Sequence, residues 1–259
     1  GDGQVAGALL ISELDDAVTV MNAGAVVLAT GGAGQVFAEN VYPLDCTGDG
    51  YAMAYRAGAE LVNMEFIQIG LCSTSTGLAC SGSMMRAIPR LINEDGHEFL
   101  EDYLPDLSPQ ERWALVFAKG ASWPVSQRDP SHRIDIAVAQ ERRAGHHVYL
   151  DYSRNPADLD LQALPEHIGL WYDGEKGLPA GGSEMKTPLA RLRAINMPSV
   201  RWLADHGVDL AGGDLVEIAP AAQHYQGGVK IRLRAEASLP GLYAAGEAAG
   251  GQHGANRPG

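Results

Sequence analysis

Apolar and polar positions along the chain change rhythm twice. Residues 5–11 form a nearly unbroken apolar run, Asp15 and Asp16 supply turn chemistry, and residues 18–21 resume an extended pattern. Residues 25–29 are continuously apolar, as expected of a strand buried on both faces. They run into Thr30-Gly31-Gly32-Ala33-Gly34, a glycine turn of the kind that lets backbone N–H groups approach a ligand. Residues 51–57 read as a helix, with the polar Thr47-Gly48-Asp49-Gly50 before it and Gly58 as its stop. Residues 61–69 read as one more extended segment.

After about Gly70 the texture becomes helical and more charged. Ser108-Pro109-Gln110-Glu111 has the form of a capping box with proline at the first helical position, and predicts a helix through Phe117. Asp129-Pro130 predicts a second, through about Arg143, with Gly145 as stop. Thr187-Pro188 opens a third, and residues 198–206 a fourth that Gly207 ends. From Gly227 the pattern is β again through residues 229–233, and the chain closes on a glycine-rich run. The order predicts one discontinuous domain, residues 1–70 with 227–259, interrupted by an inserted domain over residues 71–226.

At 259 residues and 46% hydrophobic, the chain is long and apolar enough to bury a substantial core. Its net charge of −13 argues against nonspecific nucleic-acid binding but leaves room for an anionic ligand held by a few local cations. No run of about 18 apolar residues predicts a membrane span. Cys46, Cys72 and Cys80 form no C-x-x-C pair and leave an odd thiol, which fits a reducing, cytoplasmic setting better than a disulfide framework. The adjacent His146 and His147 follow a helix stop without a cysteine or acid at ligand spacing and read as a solvated turn. The run from Glu94 to Glu98 reads as a charged hairpin turn.

Four stretches carry a more specific signal. They are Ala29-Thr30-Gly31-Gly32-Ala33-Gly34; Thr47-Gly48-Asp49-Gly50 with the helix after it and Met64-Glu65-Phe66-Ile67-Gln68; His224-Tyr225-Gln226-Gly227-Gly228; and the segment from Gly241 through Gly246-Glu247 to His253-Gly254-Ala255-Asn256-Arg257. In this order and spacing they resemble the fumarate reductase/succinate dehydrogenase flavoprotein superfamily, which includes L-aspartate oxidase. The resemblance implies FAD as cofactor. It also implies an α/β plus α+β fold: part of a doubly wound FAD-binding domain, with an inserted α+β capping domain. The family's opening strand, G-x-G-x-x-G turn and helix, and its closing helical domain, are not in this sequence. We therefore expect an internal region of a larger flavoprotein, holding FAD weakly or not at all by itself.

The resemblance also implies roles for single residues. Arg257 and His224 would bind substrate carboxylates, a task suited to the guanidinium fork. Arg128 would deliver the substrate proton. Thr30, Gly31, Gly32, Asp49, Gln68, Glu247 and Asn256 would line the cofactor, with Glu247 reaching ribose or ribityl hydroxyls and Gln68 near the flavin ring. The implied partners are a carboxylate-bearing small molecule and an electron-transfer subunit, through which the protein could sit at a membrane surface.

The sequence departs from the family where the dicarboxylate reductases carry His-Pro-Thr-Gly. Ile69-Gly70-Leu71-Cys72-Ser73-Thr74 stands there instead. The following Arg-Gly-Glu-Gly-Gly is replaced by Ser83-Met84-Met85-Arg86-Ala87, with Arg86 in approximate register. Met84, Met85 and Ile88 are then expected to line the substrate region with adaptable apolar surface. Three readings stay open: a fumarate reductase-type oxidoreductase, a related flavoenzyme such as an aspartate oxidase or another enoate dehydrogenase, and a noncatalytic docking module.

Overall fold

The computed structural model describes residues 3–120, 127–179 and 182–255. The chain divides into two compact units, Gly1–Gln68 with Ala222–Gly259, and Ile69–Ala221. The run His224-Tyr225-Gln226, expected in the inserted piece, belongs to the unit built from the two chain ends.

Among the described residues that first unit contains three small sheets. Strands β1 (Gly7–Ile11) and β2 (Val18–Asn22) form an antiparallel hairpin, with Gly7 opposite Asn22 and Ile11 opposite Val18. Asp16 takes the left-handed backbone (φ 56°) in its loop, a conformation that short polar side chains tolerate. Strand β3 (Val26–Leu28) pairs in parallel with a strand from the far end of the sequence, Leu242–Ala244. Helix α1 (Asp49–Ala57) has Asp49 in its first turn and Arg56 in its last, both favourable to the helix dipole, and ends on left-handed Gly58. The extended segment expected over residues 61–69 is split into β4 (Leu61–Val62) and the start of β5 (Ile67–Ser73). Asn63 breaks it by taking a left-handed conformation (φ 56°), and its carbonyl accepts the Phe66 N–H.

The second unit is a four-stranded sheet covered by helices. Its strand order is β5-β8-β7-β6, where β6 is Arg90–Asn93, β7 is Val148–Asp151 and β8 is Val216–Tyr225. The helices are α2 (Ser83–Arg86), α3 (Leu100–Tyr103), α4 (Pro109–Lys119), α5 (His132–Arg143), α6 (Glu166–Leu170) and α7 (Pro188–Asp205). Ser108 and Glu111 form the reciprocal capping box at the start of α4. Helix α5 starts at His132, later than Asp129-Pro130 suggested, because the Asp129 carboxylate accepts the Ser131 N–H and holds a turn ahead of the helix. The two helices expected from Thr187 and Pro198 join into α7 across a kink at Asn196 (φ −157°, ψ 68°). Asn196 Oδ1 accepts the Ser199 N–H at 3.1 Å, so it caps the second piece.

Met84, Met85 and Ile88 are fully buried in the core of this unit with Leu91, Phe99, Val116 and Ile134. This corrects the expectation that they line a substrate region: Met84 and Met85 on the short helix α2, and Ile88 just beyond its end, pack inward. Arg191 is also fully buried. Its guanidinium donates to the carbonyls of Ala87 (2.9 Å), Met185 (2.7 Å) and Ile88 (3.3 Å) and to Asn155 Oδ1 (3.0 Å). The chain re-enters the first unit at Ala222, within β8, and continues there through β9 (Gly228–Lys230), β10 (Leu242–Ala244) and β11 (Ala249–Gly250), with β9 between β11 and β4. Strand β9 stops at Lys230, short of the expected Leu233, because Arg232 N–H turns to the Glu236 carbonyl and Ala235 adopts φ 64°.

Candidate functional site

The parallel pairing of β3 and β10 brings together two stretches more than 200 positions apart. Beyond the paired residues, Ala245 N–H donates to the Leu28 carbonyl at 2.9 Å. The Thr30-Gly31-Gly32 turn and the Gly246–Ala248 turn therefore emerge side by side. A Cβ built on Gly32 would lie 2.4 Å from Glu247 Oε1, and one on Gly34 would lie 1.8 Å from the Tyr42 ring. Glycine is required at both places by this close approach, in addition to any freedom it gives the turn.

Glu247 is the hub. Its Oε1 accepts the Tyr42 hydroxyl and the Tyr225 N–H (2.6 Å), and its Oε2 lies 3.3 Å from His224 Nδ1. Tyr51 donates its hydroxyl to the Glu247 carbonyl at 2.8 Å and packs its ring 5.8 Å from that of Tyr225. The side chains of His224 and Glu247 are 13% and 19% exposed, so the group is shielded without being sealed. Burial alone would raise the Glu247 carboxyl. The hydrogen bonds from His224, Tyr42 and the Tyr225 N–H outweigh it and hold the carboxyl below its ordinary value. Burial and the neighbouring carboxylate push the Tyr42 phenol well above its usual range, so it stays a donor. Two protein donors on Oε1 and one on Oε2 leave Glu247 lone-pair capacity for a ligand hydroxyl.

The other expected site residues fall out as follows. Thr30 is exposed; its hydroxyl sits over Gly50, where a Cβ would come within 1.9 Å of it. Gly31 and Gly32 form the turn beside Glu247. Asp49 is exposed at the start of α1 and accepts the Thr47 hydroxyl at 2.7 Å. Gln68 is 3% exposed, and both polar atoms of its amide have no hydrogen-bond partner among the described residues. Arg128 is exposed in the second unit. Asn256 and Arg257 lie outside the described residues.

The sequence patterns gave no site role to Tyr42, Tyr51 or Gln226, although Gln226 lies within the His224–Gly228 motif. Tyr42 is a loop tyrosine with no local signal. Gln226 is 1% exposed, and its amide, like that of Gln68, is unpartnered at both ends. A buried polar group without a partner is costly and calls for an explanation. In a single unit, two orphaned amides and a set of glycines that admit no side chain suit a large polar ligand with ring-edge donors and acceptors.

The chain belongs to the FAD binding domain family, which it matches over residues 1–259. It is 34% identical to an L-aspartate oxidase of Nostoc sp. over 250 residues, covering 93% of this chain and 35% of that protein. It is 32% identical to a fumarate reductase flavoprotein subunit of Serratia sp. over 266 residues, covering 100% of this chain and 38% of that one. The chain thus spans little more than a third of the length of these relatives. Among solved structures it resembles Mycobacterium smegmatis Sdh1 in complex with UQ1 (TM-score 0.65, 26% identity, 99% of this chain and 36% of that one). It also resembles a quinol-fumarate reductase with menaquinol molecules (TM-score 0.62, 26% identity, 99% of this chain and 40% of that one). FAD is the cofactor these relationships assign. Among the described residues no helix is long and apolar enough to cross a membrane.

Proposed function

We propose that the protein is an FAD-dependent oxidoreductase that transfers a hydride between flavin and a carboxylate-bearing small molecule. The first unit would be part of a doubly wound FAD-binding domain, and the second unit a capping domain. The observation that carries this reading is the cluster of Gly32, Tyr42, His224, Tyr225 and Glu247 at the joined ends of β3 and β10, with the unpartnered amides of Gln68 and Gln226 in the same unit.

Thr30, Gly31, Gly32, Gln68, Glu247 and, by its motif position, Asn256 would hold the cofactor, and Asp49 would add negative charge at its edge. FAD supplies a two-electron acceptor and donor. The protein supplies positioning and preorganised charge. His224, held at Nδ1 by Glu247, would bind a substrate carboxylate. Arg257 would fork onto a second carboxylate oxygen pair, and Arg128 would serve the substrate proton. The absence of His-Pro-Thr-Gly after Gln68 supports a second reading, in which the same chemistry acts on a substrate other than fumarate or succinate, as in an aspartate oxidase. An electron-transfer subunit and a cytoplasmic location, peripheral at a membrane through that partner, complete the proposal.

The test is spectroscopic. The flavin-loaded protein is bleached anaerobically with dithionite and mixed with fumarate, then with oxygen in a parallel run. Recolouring by fumarate supports the first reading, and recolouring by oxygen alone supports the second. His224→Ala should keep bound flavin and lose most of the substrate-driven reoxidation. A flavin-loaded His224→Ala variant with unchanged reoxidation would overturn the assignment.

A further inference from the structure

The loop that follows the first glycine turn fixes one hydroxyl in place. A Cβ on Gly34 would run into the Tyr42 ring, and one on Gly32 would lie 3.2 Å from Tyr42 Cε1. Both glycines are buried. The Gly32-Ala33-Gly34 turn is therefore a socket for the Tyr42 ring, so its glycines accommodate a side chain of this chain as well as any ligand.

The backbone of Tyr42 is tied on both sides. Its N–H donates to Asn40 Oδ1 at 2.9 Å, and its carbonyl accepts Gln35 Nε2 at 2.9 Å. Gln35 Nε2 also reaches Asn40 Oδ1 and the Pro43 carbonyl, each at 3.2 Å, and Asn40 Nδ2 donates to the Phe37 carbonyl at 2.8 Å. Val41 N–H donates to the Ala222 carbonyl (3.1 Å) and Ala222 N–H to the Glu39 carbonyl (2.9 Å), which straps the loop to β8. A segment without helix or strand is thus held rigid around a single tyrosine.

The Tyr42 hydroxyl donates to Glu247 Oε1, the oxygen that also accepts the Tyr225 N–H at 2.6 Å. Two donors on one oxygen engage both of its lone pairs. Turning the carboxylate would break both bonds, so Oε2 stays directed to His224 Nδ1 at 3.3 Å. The Tyr225 N–H alone would leave the carboxylate free to swing about one contact. Burial and the adjacent carboxylate keep the Tyr42 phenol protonated, so it acts as a donor and takes no part in proton transfer.

We propose that Tyr42 is a positioning residue of the flavin site: its hydroxyl locks the plane of the Glu247 carboxylate, which keeps Oε2 available to His224 and to a cofactor hydroxyl. The proposal rests on the assignment of Glu247 and His224 to that site.

The test compares Tyr42→Phe with the unsubstituted chain. Phenylalanine keeps the ring in its socket and deletes only the hydroxyl, so a role in packing alone predicts no change in either measurement. Without flavin, ¹³C spectra of the Glu247 carboxyl should show it titrating at higher pH in Tyr42→Phe, because a donor to the charged form is gone. In flavin-loaded protein, Tyr42→Phe should release FAD about five-fold faster or more, followed by the return of flavin fluorescence. The first measurement contains no flavin, so its failure counts against Tyr42, whereas the reoxidation experiment judges the redox assignment. A further measurement needs no substitution: the Tyr42 hydroxyl proton should exchange with water at least about ten-fold more slowly than that of Tyr55, which is 72% exposed. An unmoved Glu247 carboxyl, an unchanged rate of flavin release, or a Tyr42 hydroxyl that exchanges as fast as that of Tyr55 would overturn the proposal.

Discussion

Replacing Glu247 by alanine should unfasten the joined ends of β3 and β10. The carboxylate accepts the Tyr42 hydroxyl and the Tyr225 N–H and faces His224 Nδ1 at 3.3 Å. Hydrogen bonds to a charged acceptor are worth roughly 1.5–3 kcal/mol each, and a buried donor stripped of its acceptor carries the full desolvation penalty. The His224 contact is long, and the carboxylate side chain is 19% exposed, so that contact is discounted for screening. The two tyrosine contacts then set a local loss of about 3 kcal/mol for Glu247→Ala. Glu247→Gln keeps an amide oxygen for Tyr42 and Tyr225 and should lose about 1 kcal/mol, the difference between a charged and a neutral acceptor. Native-state hydrogen exchange is the right assay, because a chain of two units need not unfold in one step. The Tyr225 amide should exchange about a hundred-fold faster or more in Glu247→Ala, and amides of β6 and β7 should be unaffected. A Tyr225 amide as protected in Glu247→Ala as in the parent chain would refute the hub.

Three further outcomes follow from the same structure. Glu247 has a folded-state carboxyl held below its ordinary value, so its contribution is complete above about pH 4.3 and is lost as pH falls through the depressed value; Tyr225 amide exchange measured from pH 6 downward should show protection falling only on the acid side of that point. Arg191→Leu strips donors from three buried carbonyls and Asn155, and should cost about 3 kcal/mol or more by urea denaturation of the second unit. Thr187→Ala removes the side-chain acceptor for the Ala190 N–H at 3.1 Å and should cost about 1 kcal/mol, read as a lower urea midpoint at unchanged m.

Local chemistry explains which features were legible in the sequence. The capping box at Ser108 and Glu111, the proline-led start at Thr187 and the left-handed stop at Gly58 depend on residues a few positions apart. The strand before Thr30-Gly31-Gly32 and the glycine run around Glu247 could likewise be picked out, because close backbone approach tolerates no side chain. The family resemblance rested on the order of four such motifs, and the match over residues 1–259 bears it out.

Other features depended on partners distant in sequence. Asn63 ended a strand that its apolar neighbours would have continued, and Met84, Met85 and Ile88 went to the core instead of a substrate surface. Tyr42 gained its meaning from a carboxylate 205 positions away. The aromatic platform under Arg86 required α2, α4 and the turn Trp171–Glu175 to converge. Short-range sterics and capping write themselves into neighbouring residues, so the sequence alone determined the caps, the glycine turns and the family. Hydrogen-bond satisfaction and packing are settled only between segments that folding brings together, so the tertiary structure decided which polar groups are engaged, which are left over, and therefore where a ligand could be held.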